Sequence, residues 1–320
     1  MTGMPTSGMN VLALAGGVGG AKLADGLAHL LGERLTVAGN TGDDFEHLGF
    51  SISPDLDTVM YTLAGIANPE LGWGIAGETW SFMEQVERLG GPVWFRLGDR
   101  DIATHALRTS RLRSGESLTA VTADLCRALG ISARVVPMTD DRVRTMLETE
   151  DGPLAFQDYF VRLKCAVAVR SILFEGAEQA NPNPALMAMR GEAAPQAIVI
   201  CPSNPYLSID PILAVPGLRD FIRETPAPVV AVSPIVAGAA IKGPAAKLMA
   251  ELGHTVSAAT VAEHYRGLVD ALLIDEADAP LAEDIERMGM KPVVASTVMR
   301  SRADRITLAG LCLKVAQDLA

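Results

Sequence analysis

Two aspartates at the start of an apolar run are the residues with the clearest capacity for chemistry. Asp55 and Asp57 stand one residue apart in "SPDLDTVMYTLAG", directly after Pro54. Carboxylates this close repel each other and lose solvation when buried, so the placement is useful where a cation or a substrate hydroxyl is held. The alternative is structural, because aspartate is a good helix N-cap. Capping accounts for one of the two carboxylates and leaves the other unexplained.

A second acidic pair, Asp43 and Asp44, lies in "NTGDDFEHLGF", directly after the predicted strand "RLTVAGN". Open α/β sheets bind their ligands outside the carboxyl ends of the strands. Mg²⁺ usually takes one or two carboxylates and leaves its other positions to water or phosphate. The position therefore suits a Mg²⁺ site. A solvated turn with a locally capping aspartate is the alternative.

A glycine-rich turn, "AGGVGGAK", joins the predicted buried strand "NVLALA" to a helical pattern. Its glycines let the backbone turn tightly and approach a ligand, and the helix that follows would direct its free N–H groups at an anion. The turn is not a Walker A loop, and it misses the GxGxxG pattern because Lys22 occupies the last position. A generic strand-to-helix turn is the alternative interpretation.

Further polar residues follow other predicted strands. Ser203 and Asn204 stand between prolines in "CPSNPYLSIDPI", and Ser233 and Lys242 lie in "VSPIVAGAAIKGPAAK". Small polar groups held there can bind the phosphates or the base of a nucleotide. Each signal is weak by itself, but together they place several polar strand ends along one edge of the sheet.

The segment "WFRLGDRDIATH" concentrates charges around a glycine, which indicates a loop that faces a ligand. Arginine suits bidentate binding of phosphate or carboxylate, so Arg96 and Arg100 are candidates. We interpret His105, in the same segment, as a core histidine and not as a catalytic one.

The order of the predicted elements indicates an α/β protein. Strand, glycine turn, helix and strand begin a βαβ unit, and later strand runs alternate with helical stretches, which predicts a mostly parallel sheet with helices on both faces. Residues 66–130 lack β-branched runs and read as an all-helical insertion of three helices. We therefore divide the chain into a core, 1–65 and 131–320, and the insertion 66–130. "VRTMLET" and "GPLAFQDYFV" predict a hairpin with Asp151-Gly152 at its turn.

Composition excludes several classes of protein. The 320 residues carry a net charge of −11, which argues against broad binding of nucleic acid or anionic membranes. No run approaches the roughly 18 apolar residues of a membrane span, and no signal peptide is recognisable. We expect a soluble cytoplasmic protein whose four scattered cysteines are reduced.

The longer motifs together resemble one family. "AGGVGGAK", "NTGDD", "SPDLDTVMYTLAG", "WFRLGDRDIATH", "LAFQDYF", "PSNPYLSIDPIL" and "VSPIVAGAAIKGPAAKLM" occur in one order across nearly the whole chain. The set is similar to the 2-phospho-L-lactate transferase family of coenzyme F-420 biosynthesis. This resemblance implies a Rossmann-like core with a small helical insertion, a homodimer and a requirement for Mg²⁺.

The resemblance also implies a reaction. The donor is a guanosine diphosphate ester of a three-carbon acid such as lactate, enolpyruvate or glycerate, and the acceptor is the deazaflavin Fo. The terminal ribityl hydroxyl of Fo attacks the phosphorus that bears the acid, and GMP leaves.

Site residues follow by resemblance as well. Asp43 matches the metal ligand, and Asp57 matches an aspartate that contacts the deazaflavin. The chemistry of a carboxylate there makes Asp57 the candidate to orient the attacking hydroxyl and to take its proton. Asp55 is assigned to catalysis beside it, as a further metal ligand or a group that supports one. Arg96 falls on a second deazaflavin contact, where some members have lysine. The nucleotide would lie along Gly16, Gly17, Gly19, Gly20, Lys22, Ser203 and Asn204.

Two alternatives remain at this stage. A related branch with a similar fold resembles nucleotide-sugar-binding regulatory proteins, which would not bind Fo. A dinucleotide-dependent oxidoreductase would use the glycine turn and an acidic residue such as Asp43 for the ribose, but the incomplete GxGxxG pattern argues against it.

Overall fold

A computed structural model describes residues 8–320 of the chain. The strands in this part are β1 Val11–Ala15, β2 Leu35–Gly39, β3 Phe45–His47, β4 Phe50–Ile52, β5 Arg134–Pro137, β6 Arg144–Thr149, β7 Gly152–Ala155, β8 Ser171–Glu175, β9 Ala197–Ile200, β10 Val229–Val232, β11 Ile235–Val236, β12 Ala239–Ala240, β13 Ala271–Ile274 and β14 Lys291–Val294. The α-helices are α1 Gly17–Leu31, α2 Pro54–Leu63, α3 Ser81–Arg88, α4 Asp99–Arg113, α5 Leu118–Ala128, α6 Pro184–Met187, α7 Asp210–Ala214, α8 Leu218–Glu224, α9 Ala245–Glu251, α10 Ala258–His264, α11 Ala282–Arg287 and α12 Arg302–Leu319.

Seven parallel strands form the main sheet, in the order β14-β13-β10-β9-β1-β2-β5. The chain first builds the sheet outward from β1 through β2 to β5, then returns to place β9 on the other side of β1. The strand order therefore reverses between β1 and β9. Such a reversal opens a crevice at the carboxyl edge, where doubly wound folds bind ligands. The predicted Rossmann-like α/β fold is confirmed.

Helices cover both faces of this sheet because successive side chains of a strand point in opposite directions. Leu12 and Leu14 of β1 join one apolar core, which contains residues of α8, α9 and α10. Val11, Ala13 and Ala15 join the other, which contains residues of α1, α2 and α12. The central strands are buried on both sides, as a parallel sheet requires.

Segment 66–130 contains α3, α4 and α5, in agreement with the three helices predicted from the sequence. It also contains an antiparallel bridge between Ala67 and Ile75, so the segment is not wholly helical. A small apolar cluster of Ile52, Met83 and Leu97 packs the segment against β4. The division of the chain into a core and an insertion stays a prediction.

The predicted hairpin is present, with β6 and β7 antiparallel and Thr149 opposite Gly152. The prediction was wrong beyond Ala155, where "FQDYF" is helical instead of extended. The N–H of Leu163 donates to the carbonyl of Asp158 at 2.8 Å, and the rings of Phe156 and Phe160 stack 5.4 Å apart, which helical spacing brings together. A third strand that the patterns did not indicate, β8, pairs with the other edge of β6.

Between residues 8 and 320, the helices all lack the length or the apolarity needed to cross a membrane. The four cysteines are free thiols. Three of them are buried, and Cys165 is half-buried.

Candidate active site

A cavity of about 580 Å³ lies at the carboxyl edge of the sheet, above the reversal between β1 and β9. Its floor consists of segments that follow main-sheet strands: residues 16–19 after β1, Asp43 after β2, residues 202–204 after β9, residues 233–234 after β10 and residues 297–299 after β14. The polar strand ends noted in the sequence are thus brought together. A groove of the same volume at the amino edge contains none of the predicted site residues.

The glycine turn is pressed against two neighbouring segments. The N–H of Gly16 donates to Ser203 Oγ at 3.1 Å, and the N–H of Gly17 donates to Asp55 Oδ1 at 2.8 Å. A Cβ at Gly19 would lie 2.3 Å from the carbonyl oxygen of Pro202, and one at Gly20 would lie 2.3 Å from Ser203 Oγ. These glycines are required for close approach. Gly20 packs against Ser203 and Ala15 and is not part of the cavity wall.

Asp55 lines the cavity from the first turn of α2, where Pro54 starts the helix and an acidic side chain suits the helix dipole. Besides Gly17, its carboxylate accepts a hydrogen bond from Asn40 Nδ2 at 3.0 Å. Burial raises the pKa of Asp55 to about 6, although the hydrogen bonds from Asn40 and Gly17 oppose this shift. Asn40 is fully buried and was not singled out in the sequence, although it directly follows β2.

Asp43 also lines the cavity and is buried. Its Oδ1 has no hydrogen-bond partner among the described residues. Burial and, next, the neighbouring Asp55 raise the pKa of Asp43 well above its ordinary value, although hydrogen bonding from the side chains of Thr145 and Asn40 opposes this shift. A desolvated carboxylate oxygen without a donor, beside a second carboxylate, fits a divalent cation.

Asp44 is not part of the cavity wall, and its Oδ2 accepts a hydrogen bond from Ser53 Oγ at 2.7 Å. Burial raises the pKa of Asp44 to about 7, while Ser53 and Arg108 act in the opposite direction. The carboxylates on the two acidic segments therefore form one buried cluster.

Asp57 does not line the cavity. Both of its carboxylate oxygens accept hydrogen bonds from the guanidinium of Arg108, a fully buried residue of α4. The expectation that Asp57 contacts an acceptor stays a prediction. In this structure the neighbouring Asp55 faces the cavity instead.

Cationic and donor groups line the same cavity as the acidic residues. Asn204 caps the turn that follows it through Oδ1, and its buried Nδ2 has no partner among the described residues. Lys22 Nζ donates to the carbonyl of Met299 at 3.1 Å. Burial first, and then Arg305 and Lys242, lower the pKa of Lys22, so positive charge is concentrated around Lys22.

An aromatic and apolar wall completes the cavity. Trp73, Trp94, Phe95, Phe156 and Phe160 all line it, from three separate stretches of chain. Arg96 lines it too, and its guanidinium lies 4.1 Å from the ring centroid of Trp80. The motifs read from the sequence include Trp94, Phe95, Phe156 and Phe160 but not Trp73, and nothing in the spacing of these aromatic residues shows that they converge.

The profile of the family described as 2-phospho-L-lactate transferase CofD matches residues 11–308. The chain belongs to this CofD family. Membership makes it a phospho-acid transferase of coenzyme F-420 biosynthesis, which confirms the resemblance seen in the motifs.

Individual relatives are named as transferases of the same kind. A phosphoenolpyruvate transferase of Streptomyces coelicolor is 46% identical over 289 residues, which are 88% of this chain and 90% of the relative. One from Streptomyces griseus is 43% identical over 318 residues, 97% of this chain and 99% of the relative. A 2-phospho-L-lactate transferase of Methanosarcina mazei is 40% identical over 293 residues, 91% of this chain and 95% of the relative.

Among solved structures, a member of the UPF0052 family from Bacillus halodurans superposes with a TM-score of 0.62. It is 16% identical, and the match covers 97% of this chain and 100% of that one. At this identity the likeness shows a shared fold and nothing further.

Proposed function

We propose that the protein transfers a three-carbon phospho-acid from its guanosine diphosphate ester to the terminal ribityl hydroxyl of the deazaflavin Fo and releases GMP. One observation carries the proposal. A single cavity holds an unpartnered carboxylate oxygen, Asp43 Oδ1, and an unpartnered amide donor, Asn204 Nδ2, beside an aromatic wall. A diphosphate, a divalent cation and a flat ring together would use all three features.

The donor's phosphates would lie over the glycine turn. The N-terminus of α1 opens into the cavity there, and a helix N-terminus attracts anions. Lys22 and Lys242 add positive charge on the same side, and Asn204 Nδ2 can donate to an oxygen of the nucleotide. Phosphoryl transfer depends mainly on such positioning and charge neutralisation.

Asp43 would hold Mg²⁺, with Asp55 as its neighbour. When bound there, the ion supplies positive charge that offsets the charge of the diphosphate. The chain's own contribution is to keep the Asp43 oxygen buried and without a competing hydrogen-bond donor.

Asp55 would orient the acceptor hydroxyl and take its proton. Its pKa of about 6 suits a base that works near neutral pH. The hydroxyl oxygen then bonds to the phosphorus that bears the acid, the bond from that phosphorus to the bridging oxygen breaks, and GMP departs with that oxygen. Retention of configuration at phosphorus, or a trapped phosphoenzyme, would reject this direct transfer.

The deazaflavin ring would pack on the aromatic wall, where Phe156 and Phe160 already stack with an interplanar angle of 13°. Arg96 stands at the same wall and could donate to ring oxygens, a contact for which lysine would offer a different geometry. The names of the bacterial relatives favour enolpyruvate as the acid of the donor.

The deciding experiment incubates the purified protein with Fo, Mg²⁺ and one guanylylated acid at a time, and reads product masses. We expect a phosphodiester of Fo with enolpyruvate and an equal amount of GMP. Failure to bind Fo, followed by its fluorescence, would favour the nucleotide-sugar-binding alternative. We also propose a homodimer, which light scattering on the same sample tests.

A further inference from the structure

The buried ion pair between Asp57 and Arg108 is the most unusual charged contact outside the cavity wall. Arg108 is 0% exposed, the most complete burial of a charged side chain in residues 8–320. Its Nη1 donates to Asp57 Oδ2 at 3.0 Å and to the carbonyl of Ser51 at 3.3 Å, while Nη2 donates to Asp57 Oδ1. The pair is thus bidentate and fully enclosed.

This pair joins two distant parts of the chain. Within the described residues, every ion pair between segment 66–130 and the remainder ends on Asp57, from Arg108 and from His105 Nδ1 at 3.6 Å. His105 and Asp101 extend the network, and Tyr61 Oη donates to Asp101 at 2.6 Å. Asp57, Asp101 and His105 have the spacing of a metal site, but the guanidinium already occupies both oxygens of Asp57.

Both ends of the pair lead to the cavity. Asp57 stands in the same helical turn as Asp55 and Thr58, which line the cavity. Arg108 belongs to α4, which begins directly after the cavity-lining residues 94–96 and the fully buried Leu97. Fixing α4 against α2 therefore fixes Trp94 and Phe95, the part of the aromatic wall that precedes α4, relative to Asp55.

A buried ion pair is seldom more stabilising than apolar residues of the same volume, so its use lies in fixing one geometry. We infer that Asp57 and Arg108 are positioning residues, which hold Trp94 and Phe95, the part of the wall that precedes α4, at the distance from Asp55 that transfer requires. Asp57 then acts through Arg108 and does not touch the substrate. This inference rests on the proposed function.

The test is a double-mutant cycle with Asp57→Asn, Arg108→Gln and the combined variant, followed by kcat, KM and tryptophan emission. The three tryptophans, Trp73, Trp80 and Trp94, all lie in segment 66–130, so their emission reports on this segment without any turnover. We expect each single variant to lower kcat about 100-fold, because small misplacements have effects of that size, and to shift the emission. The combined variant, an uncharged amide pair, should recover kcat to within about tenfold of wild type and restore the emission.

Other results would overturn the inference. If Asp57 contacts the acceptor directly, the combined variant will be as inactive as Asp57→Asn while its emission is that of wild type. A folded Arg108→Gln or Arg108→Lys variant with wild-type kcat and emission would also exclude a positioning role. Melting temperatures identify any single variant that fails to fold. In that case kcat and emission of the combined variant and of Arg108→Lys decide whether the pair has a positioning role. Failure of the proposed function would be distinguishable from failure of this inference. In that case wild type would not catalyse the transfer, while the single variants would still shift the tryptophan emission.

Discussion

The backbone N–H of Gly17 donates to Asp55 Oδ1 at 2.8 Å, although 38 positions separate the two residues in sequence. This bond ties the start of α1, the expected phosphate-binding end, to the carboxylate that faces the cavity. Under the proposed function, this one contact would place the substrate phosphate next to the candidate base.

Asp55→Asn should lower kcat by about 100-fold or more, because an amide cannot accept the hydroxyl proton. Folding should be retained with some loss of stability, since no charge has to be buried but the amide offers a single acceptor oxygen to the donors of Gly17 and Asn40. Steady-state kinetics and a thermal melt measure the two effects. Wild-type turnover in a folded variant would remove Asp55 from the mechanism.

Asp43→Asn should raise the Mg²⁺ concentration needed for half-maximal activity by about tenfold or abolish turnover, because a single carboxylate ligand carries much of the affinity for this ion. Glu192→Gln, at an exposed residue outside the cavity, is the matched control. An unchanged Mg²⁺ dependence in Asp43→Asn would exclude it as a ligand.

The buried carboxylates predict a pH-dependent stability. Burial raises the pKa of Asp55 to about 6 and that of Asp44 to about 7, from 3.8. Because the folded pKa values exceed the unfolded ones, these groups increasingly destabilise the metal-free protein as pH rises from about 4 to 7. Mg²⁺ competes with those protons, so its stabilising effect should be larger at pH 8 than at pH 6. Equal Mg²⁺-induced shifts in melting temperature at both pH values would contradict this.

Gly19→Ala should raise the KM of the guanylylated donor about tenfold, because the new Cβ would lie 2.3 Å from the Pro202 carbonyl oxygen and displace the turn. The crowding should also lower the free energy of unfolding by about 1–3 kcal/mol. Gly130→Ala is the comparison: its φ of +70° makes alanine unfavourable by about 1–2 kcal/mol, but it is remote from the cavity. A similar KM in both variants would show that the turn does not bind the donor.

Phe160→Ala should raise the KM for Fo roughly tenfold, as expected for the loss of one aromatic contact. The stability should change little, because this ring is 39% exposed. Leu89→Ala removes a 77% exposed apolar side chain outside the cavity and should leave the kinetics unchanged. Equal Fo affinity in wild type and Phe160→Ala, measured by fluorescence titration, would place the ring elsewhere.

The sequence predicts the strand ends of this site well and its walls poorly. The closeness of Gly16 and Ser203 can be predicted from the sequence, because each follows a strand and parallel strands present their carboxyl ends at one edge of the sheet. Which of Asp55 and Asp57 faces the cavity could not be predicted, since it depends on Arg108, 51 residues from Asp57. The aromatic wall could not be predicted for the same reason, because Trp73, Trp94 and Phe160 come together only through tertiary packing.

The adjacency of β1 and β9 affects how the chain folds while it is being synthesised. Leu14 pairs with Ile200, so the floor of the cavity unites β1 with a strand that is synthesised much later. A nascent polypeptide that ends before β9 lacks one side of the cavity floor, and β1 keeps one edge unpaired until then. Such late closure gives a high contact order and slow folding, and ligands can assist only its final step.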